Sequence, residues 1–182
     1  MNPFYMTGIS MQLLLGSLLI VAMFIIYVFN SKIDNKRNYI YALLLLGYVL
    51  IVFGATVFCR KTLGYQQIEL MPFWIYMEVL EGNPGVTPMD IINNIILLLP
   101  IGVLLTCIFP NIRVGNVFVI GFLLSLGIEL LQYFLWKGVA QLDDLMHNTL
   151  GCVMGWYLCK KLFAKDEKKI ANEINNKYEY LE

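Results

Sequence analysis

The chain has few charged side chains and a single histidine. Asp, Glu, Lys and Arg together make up 14% of its 182 residues, the same share as the aromatic residues, whereas 59% of the residues are hydrophobic. An ordinary soluble domain has about 25% charged residues. The composition therefore excludes that class and predicts an integral membrane protein, for which we expect no nucleic-acid partner.

The sequence also lacks the features of a cleavable signal peptide and of a disulfide framework. No Lys or Arg precedes Lys32 and no small-residue cleavage site follows the first apolar run, so we expect this run to stay as a membrane span and not to be removed as a signal peptide. The four cysteines include no close CxxC pair. We interpret them as free thiols within apolar helices and not as a disulfide framework.

Five apolar runs have the length of about 20 residues that a helix needs to cross a bilayer. They cover residues 9–29, 39–58, 90–109, 117–136 and 142–163. With five spans, 10 of the 13 basic residues lie on one side of the membrane, and the positive-inside rule makes that side cytoplasmic. The sequence thus predicts an all-α bundle of about five transmembrane helices in residues 1–163. The N-terminus is expected outside, and residues 164–182 are expected to form a charged cytoplasmic tail.

The longest loop on the outer side covers residues 60–89 and contains the apolar aromatic segment LMPFWIYMEVL. This composition is typical of an interfacial or re-entrant helix, with Phe73 and Trp74 at the headgroup boundary. At the end of the loop, the segment from Thr87 to Asp90 has the pattern of a helix N-terminus, with Thr87 as the N-cap. Asp90 therefore has a structural explanation of its own.

Polar residues are concentrated in residues 129–155, ELLQYFLWKGVAQLDDLMHNTLGCVMG. We expect one helix that breaks near residue 137 and a second helix that follows it. Helical spacing then gives each of the two helices a polar face. The first face carries Glu129 and Gln132, and the second carries Asp143, Asp144, His147 and Asn148.

Under this topology, all acidic residues and the histidine within the spans fall in the outer half of the membrane. A charged residue costs about 2.5–3.5 kcal/mol at the centre of a membrane helix, so such residues pair with one another or line a wet cavity. We therefore predict one outward-opening polar pocket, in which Asn94, Glu129 and Asp144 form a cluster from three helices. Glu129 is the strongest functional candidate because it lies near a helix C-terminus, where a carboxylate is disfavoured.

Structural explanations compete with function for the other polar residues. The preference for acidic residues at a helix N-terminus explains one of Asp143 and Asp144. A lone histidine, here His147, more often forms a structural hydrogen bond than a metal bond, so we assign no metal ligand and leave the cofactor open. Gly151 and Gly155 predict a small-residue seam that lets another helix approach closely.

The candidates fall into two groups. The catalytic candidates are Glu129, Asp144, Asp143 and His147, and the predicted binding residues are Arg60, Asp90, Asn94, Gln132, Lys137, Asn148, Phe73 and Trp74.

Three motifs follow one another in residues 60–158. They are the segment Asn94-Ile-Ile-Leu97-Leu-Leu-Pro100-Ile-Gly102, the pair Glu129-x-x-Gln132, and a helix with Asp143, Asp144, Asn148, Thr149 and Gly151. Their order and spacing resemble the VanZ-like (teicoplanin-resistance) membrane protein family. The resemblance implies a multi-pass protein of the bacterial cytoplasmic membrane that lowers susceptibility to teicoplanin and related lipid-bearing glycopeptides.

Three functions are compatible with these patterns. The first is a non-catalytic resistance factor whose pocket and aromatic loop engage a membrane lipid, a lipid-bearing glycopeptide or a cell-wall precursor. The second is a membrane-embedded enzyme in which Glu129 and Asp144 act as acid and base on an envelope lipid or glycan, with or without a divalent cation. A lipid translocase is less favoured, because no ionisable residue occupies the inner half of any predicted span.

Overall fold

The computed structural model describes the backbone of residues 36–179 and the side chains of residues 37–164. The predicted span 9–29 lies outside these residues. The described part is mostly helical, as the sequence predicted. In chain order, its elements are helix α1 (Lys36–Phe53), which continues as a π-helical turn (Gly54–Phe58), strand β1 (Gln67–Glu69), helices α2 (Trp74–Glu81), α3 (Pro88–Ile108) and α4 (Val114–Phe134), strand β2 (Val139–Gln141) and helix α5 (Leu142–Glu179).

Three helical segments of the described part are long and apolar enough to cross a membrane. They are Arg37–Phe58, Pro88–Ile108 and Val114–Phe134, and they correspond to the second, third and fourth predicted spans. The fifth predicted span, 142–163, lies within α5 and is helical, but the polar residues of its first turns lower its hydropathy. The total of five spans and the orientation of the termini stay predictions.

Helices α3 and α5 approach each other through glycines. A Cβ atom added to Gly151 would lie 1.8 Å from the carbonyl oxygen of Ile95 in α3. One added to Gly155 would lie 2.0 Å from the carbonyl oxygen of Leu99, one turn further along α3. In the other direction, a Cβ atom on Gly102 would lie 1.8 Å from the carbonyl oxygen of Cys152. The predicted small-residue seam is confirmed, and Gly102 adds a contribution from α3.

The remaining helices pack around this pair. Helix α4 meets α5 at Gly121, where a Cβ atom would lie 2.8 Å from the Cβ atom of Cys152. Helix α1 is joined to α3 by the Tyr48 hydroxyl, which donates a hydrogen bond to the Leu97 carbonyl at 3.0 Å. The outward faces of these helices carry exposed large hydrophobic side chains, such as Leu43 on α1. Such faces suit lipid tails, which are as apolar as leucine itself.

Candidate ligand-binding site

A cavity of about 400 Å³ opens at the end of the bundle where α3 and α5 begin and α4 ends. Helix α2, the loop between α2 and α3, the segment before β1, and strand β2 with the two residues before it complete the wall. Six of the residues predicted to form a pocket line it, namely Arg60, Trp74, Asp90, Asn94, Lys137 and Asp144. The cavity thus brings together residues that lie up to 84 positions apart in the sequence, from Arg60 to Asp144.

The two acidic lining residues are each held by one carboxylate oxygen. Asn94 Nδ2 donates a hydrogen bond to Asp144 Oδ1 at 2.5 Å, which is a contact the sequence predicted. Asp90 Oδ2 accepts hydrogen bonds from the backbone N–H and the hydroxyl of Thr87, at 2.7 and 2.9 Å, in the predicted capping arrangement. The second oxygen of each carboxylate accepts no hydrogen bond from the described residues.

Glu129 is buried behind the cavity wall, with 5% of its surface exposed. Its Oε2 atom accepts a hydrogen bond from the backbone N–H of Gln141 at 2.9 Å, which joins α4 to the segment before α5. Within the described part of the chain, Glu129 forms no hydrogen bond with Asp144 or Asn94. Its partner Gln141 lines the cavity, whereas Glu129 itself does not.

Arg60 follows the π-helical turn and is positioned by its backbone and by a glycine. Lys137 Nζ donates a hydrogen bond to the Arg60 carbonyl oxygen at 2.6 Å. A Cβ atom on Gly138 would lie 2.9 Å from Arg60 Nη1 and 3.1 Å from Gln132 Oε1, so a side chain at this position would displace both groups. Gln132 Nε2 donates to the Thr56 carbonyl at 3.1 Å, whereas its buried Oε1 has no partner among the described residues.

The segment between α4 and α5 contains strand β2, which pairs with β1 in a two-stranded parallel sheet. Strands β1 and β2 pair with Ile68 opposite Ala140, and the backbone N–H of Leu63 donates to the Trp136 carbonyl at 2.7 Å. The sequence did not predict this pairing, because strands of three residues are too short to show an alternating pattern. The lining residues that the sequence prediction missed are Lys61, Leu63, Ile75, Gly85, Val86, Gly138, Val139 and Gln141.

Asp143 and His147 hold the loop helix α2 and do not line the cavity. Asp143 Oδ1 accepts a hydrogen bond from the backbone N–H of Phe73 at 2.7 Å, and Oδ2 accepts one from that of Ile75 at 2.9 Å. A carboxylate is favourable there because the first N–H groups of a helix lack partners within the helix. One turn further along α5, His147 Nε2 is hydrogen-bonded to the Tyr76 hydroxyl at 2.8 Å.

The loop of residues 60–89 contains the short helix that the sequence predicted, but with a strained start. Phe73, the N-cap of α2, has a φ angle of 61°, and Trp136 has one of 58°. This left-handed conformation costs a residue with a side chain about 1–2 kcal/mol. The two positions directly precede the lining residues Trp74 and Lys137, so strain is concentrated beside the cavity.

Three predicted binding residues do not line the cavity, namely Gln132, described above, Asn148 and Phe73. Asn148 is buried between α4 and α5, where its Nδ2 donates to Ser125 Oγ at 3.0 Å. Phe73 contributes its backbone to Asp143 and leaves its ring exposed. Among the described residues, no group of three or more His, Cys, Asp and Glu side chains could hold a metal ion.

The bundle, its apolar outward faces and its polar end define a helical membrane protein with a charged cavity at one end of the helices. Residues 14–164 match the family model described as VanZ/LLP1, which is most of the chain. The chain belongs to the VanZ/LLP1 family, and the match confirms the resemblance that the motifs indicated. No curated protein and no solved structure matches it.

Proposed function

We propose that the protein lowers susceptibility to teicoplanin-type, lipid-bearing glycopeptides by engaging a lipid-anchored molecule in its cavity. That molecule is either the drug or an envelope precursor. The observation that carries the proposal is the charged lining of the cavity, with Arg60, Lys61 and Lys137 beside Asp90 and Asp144. Charged groups at membrane depth are costly and are retained where they line a ligand or ion site.

The loop helix α2 supports a ligand with a lipid chain. Trp74 and Ile75 line the cavity, whereas Leu80 on the same helix is 86% exposed and Phe73 before it is 58% exposed. An aromatic, partly apolar helix of this kind suits the boundary between headgroups and acyl chains. The cavity and the helix together offer one surface to a polar headgroup and another to its lipid chain, which favours a lipid-anchored ligand over a free solute.

The test compares the teicoplanin susceptibility of a susceptible bacterial host with and without the protein. Expression of the wild-type chain is expected to raise the inhibitory concentration of teicoplanin. Arg60→Ala should lose most of this effect at equal abundance in the membrane, because it removes the guanidinium from the cavity. A glycopeptide without a lipid chain should show a smaller difference between the strains.

Lys161→Ala is the matched control for the charge lost in Arg60→Ala. Lys161 is exposed and lies 17 residues after Asp144 on the same helix, about 25 Å away at the rise of an α-helix. This variant should protect as well as the wild type. Equal protection by Arg60→Ala and the wild type would contradict the proposal.

A membrane-embedded enzyme is the second candidate, and it is favoured by the buried Glu129 together with Asp144 in the cavity lining. Two carboxylic groups in a shielded place can differ in proton affinity, as acid–base catalysis requires. Glu129→Gln keeps the shape and the acceptor for Gln141 but removes the charge. An envelope lipid or glycan whose modification depends on Glu129, or a stoichiometric metal in the purified protein, would favour the enzyme over the binding factor.

A further inference from the structure

We infer that the cavity recognises a zwitterion that carries a phosphate and a primary ammonium, as a phosphoethanolamine headgroup does. The inference concerns the same cavity but goes beyond the function proposed above, because a phosphoethanolamine lipid is neither the drug nor an envelope precursor. It starts from the cavity lining, in which Arg60 and Lys61 supply positive charge while Asp90 and Asp144 supply negative charge. A site for a simple anion or a simple cation would need one sign only.

These opposite charges are held apart and do not neutralise one another by contact. Among the described residues, no ion pair joins Arg60 to Asp144, although the two charges act on each other. Asn94 holds the Asp144 carboxylate, whereas Lys137 binds the backbone carbonyl of Arg60 and leaves the guanidinium itself without a hydrogen bond to a described residue. Opposite charges that face one cavity without touching leave room for a ligand that contacts both.

The basic side of the cavity suits a phosphate. The guanidinium of Arg60 is a planar fork of N–H donors that matches the oxygens of a phosphate or carboxylate, and the adjacent Lys61 adds a second positive charge. No hydrogen bond from the guanidinium to another described residue occupies these donors. Gly138 lies against this guanidinium, and a Cβ atom at that position would come within 2.9 Å of Nη1.

The acidic side suits an ammonium that can donate hydrogen bonds. Asp90 and Asp144 each have one oxygen engaged within the protein and one oxygen that accepts no hydrogen bond from the described residues. A primary ammonium has three N–H donors, enough to meet both free oxygens, whereas a quaternary ammonium has none. Phosphatidylethanolamine should therefore bind better than phosphatidylcholine, although both are zwitterions.

The same headgroup chemistry occurs in a bilayer lipid and in free phosphoethanolamine. The exposed apolar faces of the bundle and of α2 give an acyl chain a surface beside the cavity, which favours the lipid. The experiment below has separate arms for these two sources.

The test is native mass spectrometry of the full chain after reconstitution into nanodiscs with equal amounts of phosphatidylethanolamine, phosphatidylglycerol and phosphatidylcholine. The wild type should retain phosphatidylethanolamine in preference to the other two lipids. Asp144→Asn, which keeps an acceptor for Asn94 but loses the charge, should lower the ratio of phosphatidylethanolamine to phosphatidylglycerol by about tenfold, the value of one hydrogen bond to a charged group. Asp90→Asn tests the same subsite independently.

The basic subsite has a different expected signature. Arg60→Ala should lower the retention of all three lipids, because each carries a phosphate, and should change their ratios less than Asp144→Asn does. Lys161→Ala and Glu81→Gln, which alter exposed charges outside the cavity, are the controls and should match the wild type. Displacement of bound phosphatidylethanolamine by free phosphoethanolamine would show that the headgroup suffices, and its failure would show that the lipid chain is needed; either result agrees with the inference.

Equal retention of the three lipids by the wild type would overturn the inference, as would an unchanged ratio in both Asp144→Asn and Asp90→Asn. The susceptibility assay separates this failure from failure of the proposed function. Protection that depends on Arg60 without selectivity among the lipids would leave the proposed function standing. Selectivity for phosphatidylethanolamine without any effect on teicoplanin susceptibility would instead overturn the proposed function alone.

Discussion

The glycine seam between α3 and α5 and the cavity at the end of these helices use the same two elements in opposite ways. In the seam, Gly151 and Gly155 remove side chains so that backbone touches backbone. At the cavity, two helical turns before Gly151, Asp144 extends from the same helix towards Asn94 of α3 and leaves one oxygen without a partner from the described residues. The helices are in direct backbone contact at the seam, whereas they leave a cavity between them at the polar end.

The comparison shows how the length of a hydrogen bond between two helices can be set by the packing of glycines nearby. Gly151 rests on the carbonyl of Ile95, the residue directly after Asn94. Because the contact tolerates no added atom, it sets the separation of the helices, and with it the bond from Asn94 to Asp144. The close packing of the seam therefore also fixes the positions of Asn94 and Asp144 in the cavity.

The largest expected effect comes from filling the seam with Gly151→Ala. The new Cβ atom would lie 1.8 Å from the Ile95 carbonyl oxygen, and no rotation of a side chain relieves a clash with backbone. The loss of stability should exceed the about 1–3 kcal/mol of ordinary overpacking. Thermal unfolding in detergent measures it, with Gly47→Ala as the control, since a Cβ atom on Gly47 meets nothing within 4 Å. Equal melting of the two variants would show that the seam is loose.

A smaller and more local effect is expected from Asp143→Ala. The change frees the backbone N–H groups of Phe73 and Ile75 and should cost about 1–3 kcal/mol, because two donors lose a charged acceptor. We expect α2 to detach from α5 while the seam stays intact. Hydrogen–deuterium exchange should rise in residues 73–81 and not in residues 95–108. Asp143→Asn, which keeps one acceptor oxygen, should lie between the wild type and Asp143→Ala, and a rise that is equal in both segments would contradict local docking.

Much of the polar end could be predicted from the sequence because lipid makes buried polarity expensive. The side chains of Asn94 and Asp144 are far apart in the chain, yet the cost of leaving them unpaired in hydrocarbon predicted that they meet. The seam was predictable for a similar reason, since glycines four residues apart on a membrane helix have few other uses. The capping pattern of Thr87 and Asp90 is local and needs no tertiary information.

What the sequence could not predict depends on contacts between distant backbones. Asp143 and His147 fit a catalytic interpretation as long as nothing is known of α2, and their partners Phe73, Ile75 and Tyr76 lie about 70 residues away. The bond from Glu129 to Gln141 uses a backbone N–H, which no side-chain pattern reveals. Orientation in the membrane depends on a charge count that includes residues before the described part.

The double change Phe73→Ser and Trp74→Ser should have a moderate effect on function and little effect on folding. The Phe73 ring is exposed and Trp74 lines the cavity, so neither belongs to the seam, and the backbone bond from residue 73 to Asp143 survives. Removing each ring from the headgroup boundary forfeits on the order of 1.5–3 kcal/mol of apolar burial. Teicoplanin protection should fall at unchanged membrane abundance. Tyr157→Ser, at an exposed aromatic residue of α5, should leave protection intact. Equal losses of protection in both variants would contradict a specific role of α2.

The last prediction concerns the labelling of the two ends of the bundle. Cys59 is exposed and directly precedes Arg60, so it marks the cavity end. Cys107 and Cys159 mark the opposite end, where their Sγ atoms lie 3.8 Å apart between α3 and α5. In single-cysteine variants, a membrane-impermeant maleimide should label Cys59 in intact cells but should label Cys107 only after the membrane is permeabilised, because the positive-inside rule predicts that the Cys107 end is cytoplasmic.

A cysteine-free variant sets the background of this experiment. Labelling of Cys107 but not Cys59 in intact cells would show that the orientation is the reverse of the predicted one and that the cavity faces the cytoplasm. A glycopeptide outside the cell could then not reach it, so the resistance proposal would fail at its first step. The zwitterionic site would survive such a result, since phosphatidylethanolamine can be offered to either face, and the contrast between seam and cavity does not depend on which end faces outwards.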